Sequence, residues 1–325
     1  MRYEKQEIFL GKEAQRKIQN SKVVIVGLGA LGTVVADELV RAGIKKLVLI
    51  DRDVVEESNL QRQTLYDEND VHKMKADIAK MKLSKVNSDV KIYSYSANLG
   101  TGNLNLLDSD LVIDCTDNFE TRFLINEYCK KKKIPWIYGA VAGSLGSVFS
   151  TLENACFNCI FQNIKPYATC NNFGIISPAS NIVASLQVIE AFKILSGKYK
   201  DNKLFVVDLW NGKFEKITVK RNPKCEVCKG KYSLLDFKSG KESKIYEIRM
   251  CDTKNKFSSR PLVEMDLNFS KLRKIVKVKM LSKIVLICEI EGVECLIQKH
   301  GEIFFRDTTD MTKMKSISAK IYSFR

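Results

Sequence analysis

Two Cys-x-x-Cys pairs, Cys156/Cys159 and Cys225/Cys228, stand downstream of a Gly-Leu-Gly-Ala-Leu-Gly turn whose glycines are Gly27, Gly29 and Gly32. Four thiolates in two such pairs suit a tetrahedral structural Zn²⁺ site, which needs no open coordination position. An iron–sulfur cluster is the other group that four thiolates hold. The glycines point to different chemistry. Without side chains they let the backbone approach a phosphate, and the helix after them offers oriented N–H groups. The spacing alone fits any nucleotide-binding enzyme, or a tight turn with no ligand. There is no Gly-x-x-x-x-Gly-Lys-Ser/Thr, so a P-loop ATPase is excluded.

The residues beyond the turn narrow the choice of nucleotide. Asp51 comes about 20 residues on, where a nucleotide fold places its ribose acid. Asn59 and Arg62 fall just past that strand end, and Lys75 comes on the next helix. Two cations and an amide at one mouth suit a triphosphate better than a single diphosphate, since Arg grips phosphate through two N–H groups and Lys supplies a compact charge. Asp114-Cys115-Thr116-Asp117-Asn118 closes a later strand. A carboxylate there, beside a triphosphate, is placed for Mg²⁺. Asp117 is the candidate, because Asp114 belongs to the strand and is expected to be partly buried. Asp117 is alternatively the N-cap of the helix starting at Phe119. Cys170, in a polar stretch near Lys165, is the one cysteine whose position suits a reactive thiolate, against the reading of an ordinary loop cysteine.

The elements that must position these residues are legible. Lys22 to Gly27 is an apolar run typical of a strand buried on both faces. Ala30 to Ala42 predicts a helix and Lys45 to Asp51 a second strand. Then come a basic helix from Val71 to Val86, strands at 90–95 and 111–116, a helix from Phe119 to about Lys132, and a strand at 134–138. Repeating strand–helix units predict a parallel sheet with helices on both faces. The pattern then changes. Residues 143–153 read as hairpin material, 178–197 as a long helix with Pro at its start and Gly at its end, and 204–219 as a strand pair turned at Asn211-Gly212. Tyr232 to about Lys244 reads as a linker. Short strands at 283–289 and 303–306 and a helix at 311–322 complete a small module. The expected fold is α/β. A Rossmann-like, doubly wound, mainly parallel sheet with a zinc-bound antiparallel region fills residues 1–231, and a small α+β module fills 232–325.

Composition agrees with a packed enzyme. The chain has 325 residues, 45% of them hydrophobic and 28% charged. No apolar run reaches the roughly 18 residues that span a bilayer, and the polar N-terminus lacks a signal-peptide pattern. A cytoplasmic protein is expected. Ten cysteines in such a chain argue against a disulfide framework. Cys115 and Cys129 read as apolar filler. The net charge of +15 favours acidic partners, whether nucleotides, nucleic acid or an acidic protein. With only two histidines, a histidine-based triad is not expected.

Taken together with Arg2-Tyr3-x-x-Gln6, Asn59-Leu60-Gln61-Arg62-Gln63, Lys75-Ala76 and Arg221-Asn222-Pro223-x-Cys225-Glu226-Val227-Cys228, these motifs resemble the MoeB/ThiF/HesA adenylyltransferases, prokaryotic relatives of the ubiquitin-activating enzyme. The resemblance covers roughly residues 1–230. It implies an enzyme that uses ATP and Mg²⁺ to adenylate the C-terminal carboxylate of a ubiquitin-like or sulfur-carrier protein ending in Gly-Gly, releasing pyrophosphate. It implies that Asp51 holds the ribose, that Asn59, Arg62 and Lys75 hold phosphates, and that Asp117, with Asn118 beside it, takes the metal. Cys170 matches the cysteine that in some members accepts the activated carrier. A homodimer is implied, and a sulfur-donor protein is a further implied partner. A membrane or nucleic-acid partner is not. The family usually carries a second N-terminal arginine that reaches the phosphates across the dimer. Here Lys5 stands there, keeping the charge without the planar fork. The last stretch is similar to a short C-terminal extension of some archaeal members and not to a rhodanese domain. Two alternatives stay open: a tRNA-modifying ATP-dependent dehydratase of the same superfamily, and a nucleotide-binding scaffold without turnover.

Overall fold

The computed structural model describes every residue except Met1, Glu153, 162–173, 200–202, 236–245, 252–255, 262–264, Lys283, Asp307, Thr309 and Arg325. The chain divides into two compact units, Met1–Asp236 and Phe237–Arg325.

An eight-stranded sheet forms the first unit, in the order β3-β2-β1-β4-β5-β6-β7-β8. Its strands are β1 (Lys22–Val26), β2 (Lys46–Ile50), β3 (Lys91–Tyr95), β4 (Leu111–Asp114), β5 (Trp136–Ala142), β6 (Leu145–Thr151), β7 (Lys203–Asp208) and β8 (Lys213–Thr218). Strands β1 to β5 pair in parallel, and β5 to β8 in antiparallel fashion. Successive side chains of a strand point to opposite faces. In β1, Val23 and Ile25 therefore enter one core while Val24 and Val26 enter the other. Helices α3 (Gly32–Ala42) and α4 (Lys75–Val86) and the long helix Ser177–Leu195 supply residues to the first core. The second core receives helix α5 (Phe119–Lys132) and α6 (Phe157–Phe161). The long helix is α7 here. This is the doubly wound architecture expected, with its antiparallel extension.

Several boundaries differ from the sequence reading, each for a local reason. Helix α3 begins at Gly32 and not Ala30, so residues 28–31 remain a turn. Helix α4 begins at Lys75 and not Val71. Before it, a short 3₁₀ turn over Glu68–Asp70 is capped by the Asp67 side chain, and His72 sits at φ 71°. Strand β4 stops at Asp114 and not at 116, because Thr116 donates both its N–H and its hydroxyl to the Asp114 carboxylate. The expected strand at 134–138 and the hairpin at 143–153 are one β5–β6 hairpin, turned at Gly143-Ser144 with Gly143 at φ 62°. Two N-terminal helices, α1 (Glu4–Leu10) and α2 (Lys12–Asn20), and α6, which starts just after Cys156 and contains Cys159, were not anticipated. Helix α2 buries Ala14, Gln15 and Ile18, whereas α1 buries none of its residues.

Residues 233–235, expected in the linker, stay with the first unit. The buried Glu127 carboxylate on α5 accepts the N–H groups of Leu234 (2.8 Å) and Leu235 (3.2 Å) and the Ser233 hydroxyl (3.3 Å).

The second unit is a six-stranded antiparallel sheet in the order β11-β12-β13-β14-β10-β9. Its strands are β9 (Tyr246–Cys251), β10 (Lys256–Pro261), β11 (Lys277–Leu281), β12 (Val285–Ile290), β13 (Val293–Gln298) and β14 (Ile303–Arg306), with helices α8 (Phe269–Leu272) and α9 (Met311–Tyr322). Its core joins Leu286, Ile297 and Phe305 to Met314, Ile317 and Ile321 of α9. Among the described residues, no helix is long and apolar enough to cross a membrane.

Candidate functional site

The glycine turn sits at the C-terminal end of β1, and its three glycines face different demands. Gly27 has φ 89°, and a Cβ there would lie 2.7 Å from the Cys115 carbonyl oxygen. A Cβ on Gly32 would collide with the Gly27 carbonyl oxygen. Gly29 has room, its nearest neighbour being Gln63 Nε2 at 3.8 Å. Open α/β sheets bind ligands beyond the carboxyl ends of their strands, and the open position of Gly29 is at that end.

The acid after β2 is wired into this turn. Asp51 accepts the Leu28 N–H at 2.6 Å and the Asp53 N–H at 2.7 Å. Asp53 in turn lies 3.9 Å from Lys75 Nζ and 3.6 Å from Arg52 Nε. Lys75 is almost fully buried at the first position of α4. The Tyr66 hydroxyl approaches the Leu28 carbonyl (3.1 Å) and the Lys75 carbonyl (3.3 Å), joining the glycine turn to the start of α4. Burial pushes the Tyr66 phenol well up, with nearby carboxylates adding to the effect, so it remains a hydroxyl donor.

Asn59 is buried and holds the next loop together. Its carboxamide oxygen accepts the Glu56 N–H (3.2 Å), and its backbone carbonyl accepts the Arg62 and Gln63 N–H groups (3.1 and 3.0 Å). Arg62 donates from Nη1 to the Ser58 carbonyl at 2.8 Å.

The third part of the mouth comes after β4. Asp114 is fully buried and paired with Arg122 at 3.1 Å. Burial pushes its carboxyl up, and Arg122 and Thr116 work in the other direction. Arg122 also donates to the Thr116 and Gly139 carbonyls and lies 4.9 Å from the centre of the Tyr138 ring. Asp114 is thus structural and wholly inside, beyond the partial burial expected. The capping question resolves against Asp117: the N-cap of α5 is Asn118, which accepts the Thr121 N–H at 2.9 Å. Asp117 is exposed just before it.

The four cysteines converge. The sulfurs of Cys156, Cys159, Cys225 and Cys228 all lie within 4.8 Å of one another, with Cys156–Cys225 and Cys159–Cys228 at 3.6 Å. A disulfide needs ~2.05 Å, whereas sulfurs ~2.3 Å from a central zinc form a tetrahedron with edges of about 3.8 Å. The donor set therefore fits Zn²⁺, with no fifth protein group required. The Asn222 N–H points at Cys159 Sγ (3.4 Å). The Cys156 hydrogen bond, and after it that N–H, pulls the Cys159 thiol down to about 4.

Phe157, one residue after the first cysteine, is fully buried. Its ring lies 5.3 Å from Phe123, 5.6 Å from Trp136 and 5.1 Å from Tyr138. The cysteine cluster is thus tied through aromatic packing to α5 and to the Arg122–Asp114 pair beneath the Asp117 loop.

Gly27, Gly29, Gly32, Asp51, Asn59, Arg62 and Lys75 are thus brought to one mouth, and Gly27 backs onto the strand end that leads to Asp117. Lys5 is not joined to them and stands exposed on α1. Cys170 lies outside the described residues. Sequence reading missed Asp53, Tyr66 and Arg122. Asp53 comes two residues after Asp51, which was a usable signal. Arg122 and Tyr66 are fixed by contacts with distant elements that no spacing announces.

The ThiF family model matches residues 3–227. The Sulfur carrier protein ThiS adenylyltransferase of Bacillus subtilis is 32% identical over 98% of this chain and 98% of its own, so its match takes in the second unit. The Molybdopterin-synthase adenylyltransferase of Escherichia coli is 36% identical over 70% of this chain and 96% of its own. The crystal structure of E. coli MccB with ATP superposes with a TM-score of 0.61 at 25% identity, covering 70% of this chain and 74% of that one. With its glycine turn, Asp51 and three of the four clustered cysteines lying inside residues 3–227, the chain belongs to the ThiF family.

Proposed function

We propose that this chain is an adenylyltransferase that activates the C-terminal carboxylate of a small sulfur-carrier protein ending in Gly-Gly. The observation that carries this reading is the continuous network from the glycine turn through Asp51 and Asp53 to Lys75. Asp51 accepts from the ATP ribose. Lys75 and Arg62 leave Asp53 and the Ser58 carbonyl for phosphate oxygens, exchanging weak contacts for charged ones. A carboxylate oxygen of the carrier attacks the α-phosphorus, an acyl–phosphate bond forms, the α–β bridge breaks and pyrophosphate leaves. The nucleophile is already ionised at neutral pH, so no general base is needed. Positioned cations supply most of the rate. Asp117, exposed and not used as a cap, would hold Mg²⁺, which offsets charge on the phosphates when bound.

In the same reading the chain works as a homodimer, with Lys5 of one copy serving the phosphates of the other. The activated acyl group then passes to the Cys170 thiol with loss of AMP. Relatives named for ThiS and for molybdopterin synthase support a carrier of that class.

The test is exchange of labelled pyrophosphate into ATP. It should require both this protein and a Gly-Gly carrier. Exchange stimulated by tRNA and by no carrier would overturn the assignment in favour of a tRNA-modifying enzyme.

Asp51 also implies a pH effect. Burial, then repulsion from Asp53, raise its carboxyl to about 6, while Lys75 and two backbone N–H groups pull it back. The ribose needs the ionised form as acceptor. As pH falls through that value the proton taken up removes the acceptor, so ATP binding weakens on the acid side and levels off above it. Calorimetry between about pH 5 and 8 should show this fall, and an Asp51→Asn variant should lose it. Affinity that is flat or stronger in acid would contradict the role.

A further inference from the structure

Gln187 is a fully buried amide on α7, set among Val183, Ala184, Val188 and Ala191 of the first core. Its carboxamide reaches the carboxyl end of β4. Nε2 donates to the Asp114 carbonyl at 2.8 Å, and the Cys115 thiol lies 3.8 Å from Oε1. Leucine or methionine would pack in this apolar layer without desolvating a polar group. The neighbouring strand β5 carries Gly139 in its middle, and a glycine there weakens a strand unless something must approach it closely. A Cβ on Gly139 would lie 2.4 Å from the Gln187 carboxamide. A buried amide and a mid-strand glycine are each unfavourable alone, and they meet in this one contact.

The contact fastens the segment that presents Asp117. From the opposite face of the sheet, Arg122 pairs with the Asp114 carboxylate and donates to the Thr116 and Gly139 carbonyls. Thr116 folds back on Asp114 through its N–H and hydroxyl. The Cys115 N–H donates to the Val26 carbonyl at 2.8 Å, and the Asn118 side chain accepts the Thr121 N–H. Asp114, Cys115, Thr116 and Asn118 are each tied down, and Asp117 stands exposed among them. Resting on the adenylation reading, we propose that Gln187 is a positioning residue. With Arg122 it clamps the end of β4 from both faces of the sheet and so sets the Asp117 carboxylate for the Mg²⁺ of bound ATP. Mg²⁺ tolerates little departure from octahedral geometry, so a small drift of this segment would cost it the ligand.

The test is calorimetry of ATP binding to the full chain, once with Mg²⁺ and once with EDTA in its place. The ratio of the two affinities is the gain due to the metal, and the wild type should show one. Gln187→Met, which nearly conserves shape, or Gln187→Leu if the first does not fold, should lose about tenfold of that gain. Affinity in EDTA, set by the glycine turn, Asp51 and Lys75, should stay where it was. In an Asp117→Ala background the same change should cost nothing further, because the group it positions is gone. Equal losses with and without metal, a gain left whole, or a further loss on top of Asp117→Ala would show that Gln187 only packs and would overturn the proposal. A wild type that binds ATP equally with and without Mg²⁺ would overturn the proposal alone, and a wild type that binds no ATP would overturn the adenylation reading itself.

Discussion

Replacing Asp117 with Ala should lower carrier-dependent pyrophosphate exchange by about 10²–10³-fold, the range seen when one preorganised electrostatic group is removed from a reacting centre. Melting temperature should barely move, because Asp117 is exposed and the cap of α5 is the Asn118 side chain. The neighbouring change gives the converse. Asn118→Ala should cost about 1 kcal/mol of stability, as loss of an N-cap does. A stability loss at Asp117 equal to that at Asn118 would mean that its effect on rate is structural. The same variant tests the dimer. A heterodimer of one Asp117→Ala and one Lys5→Ala copy keeps one intact site if Lys5 acts across the interface, so the isolated heterodimer should show about half the activity of the wild type and an equal, randomly paired mixture about a quarter. No recovery would place Lys5 outside the partner's site.

Removing the zinc expected at the cysteine cluster should destabilise the first unit by several kcal/mol. Structural zinc binds to isolated finger peptides with about 10–16 kcal/mol at neutral pH, and part of that energy holds the fold together. The loss should not stay local. Cys156 adjoins Phe157, whose ring packs against Phe123 and Tyr138, and Arg122 lies between Tyr138 and the buried Asp114. Chelation, or Cys225→Ser, should therefore lower melting temperature and weaken nucleotide binding together. Elemental analysis should find one zinc per chain in the wild type and less in the variant. A wild type that carries no metal, or iron in its place, would refute the assignment of zinc.

The parallel half of the sheet was readable from the chain because β1, β2 and β4 are short apolar runs buried on both faces, and little else produces that pattern. The β5–β6 hairpin was misread as a strand and then separate hairpin material. Periodicity does not show where one strand ends when the next begins two residues later. Helix α1 carries its apolar residues as one short run, Ile8-Phe9-Leu10, with no helical repeat, and none of its residues is buried. At the site, glycine spacing and motif order are what proposed Asp51, Asn59, Lys75 and Asp117. The division of labour between Asp117 and Asn118 depended on which side chain turns back to the Thr121 N–H. That is a rotamer outcome, and either residue type makes a good cap. The burial of Asp114 rests on Arg122, which reaches it from the next helix.

The unequal surroundings of the three glycines carry an evolutionary consequence. Gly27 and Gly32 are fixed by collisions with the protein's own backbone, and Gly29 is not. Selection for folding alone would therefore preserve the outer two and let the middle one drift to alanine or serine. Selection for nucleotide use would preserve all three. A descendant that kept this scaffold but abandoned its nucleotide would be recognisable by its middle glycine.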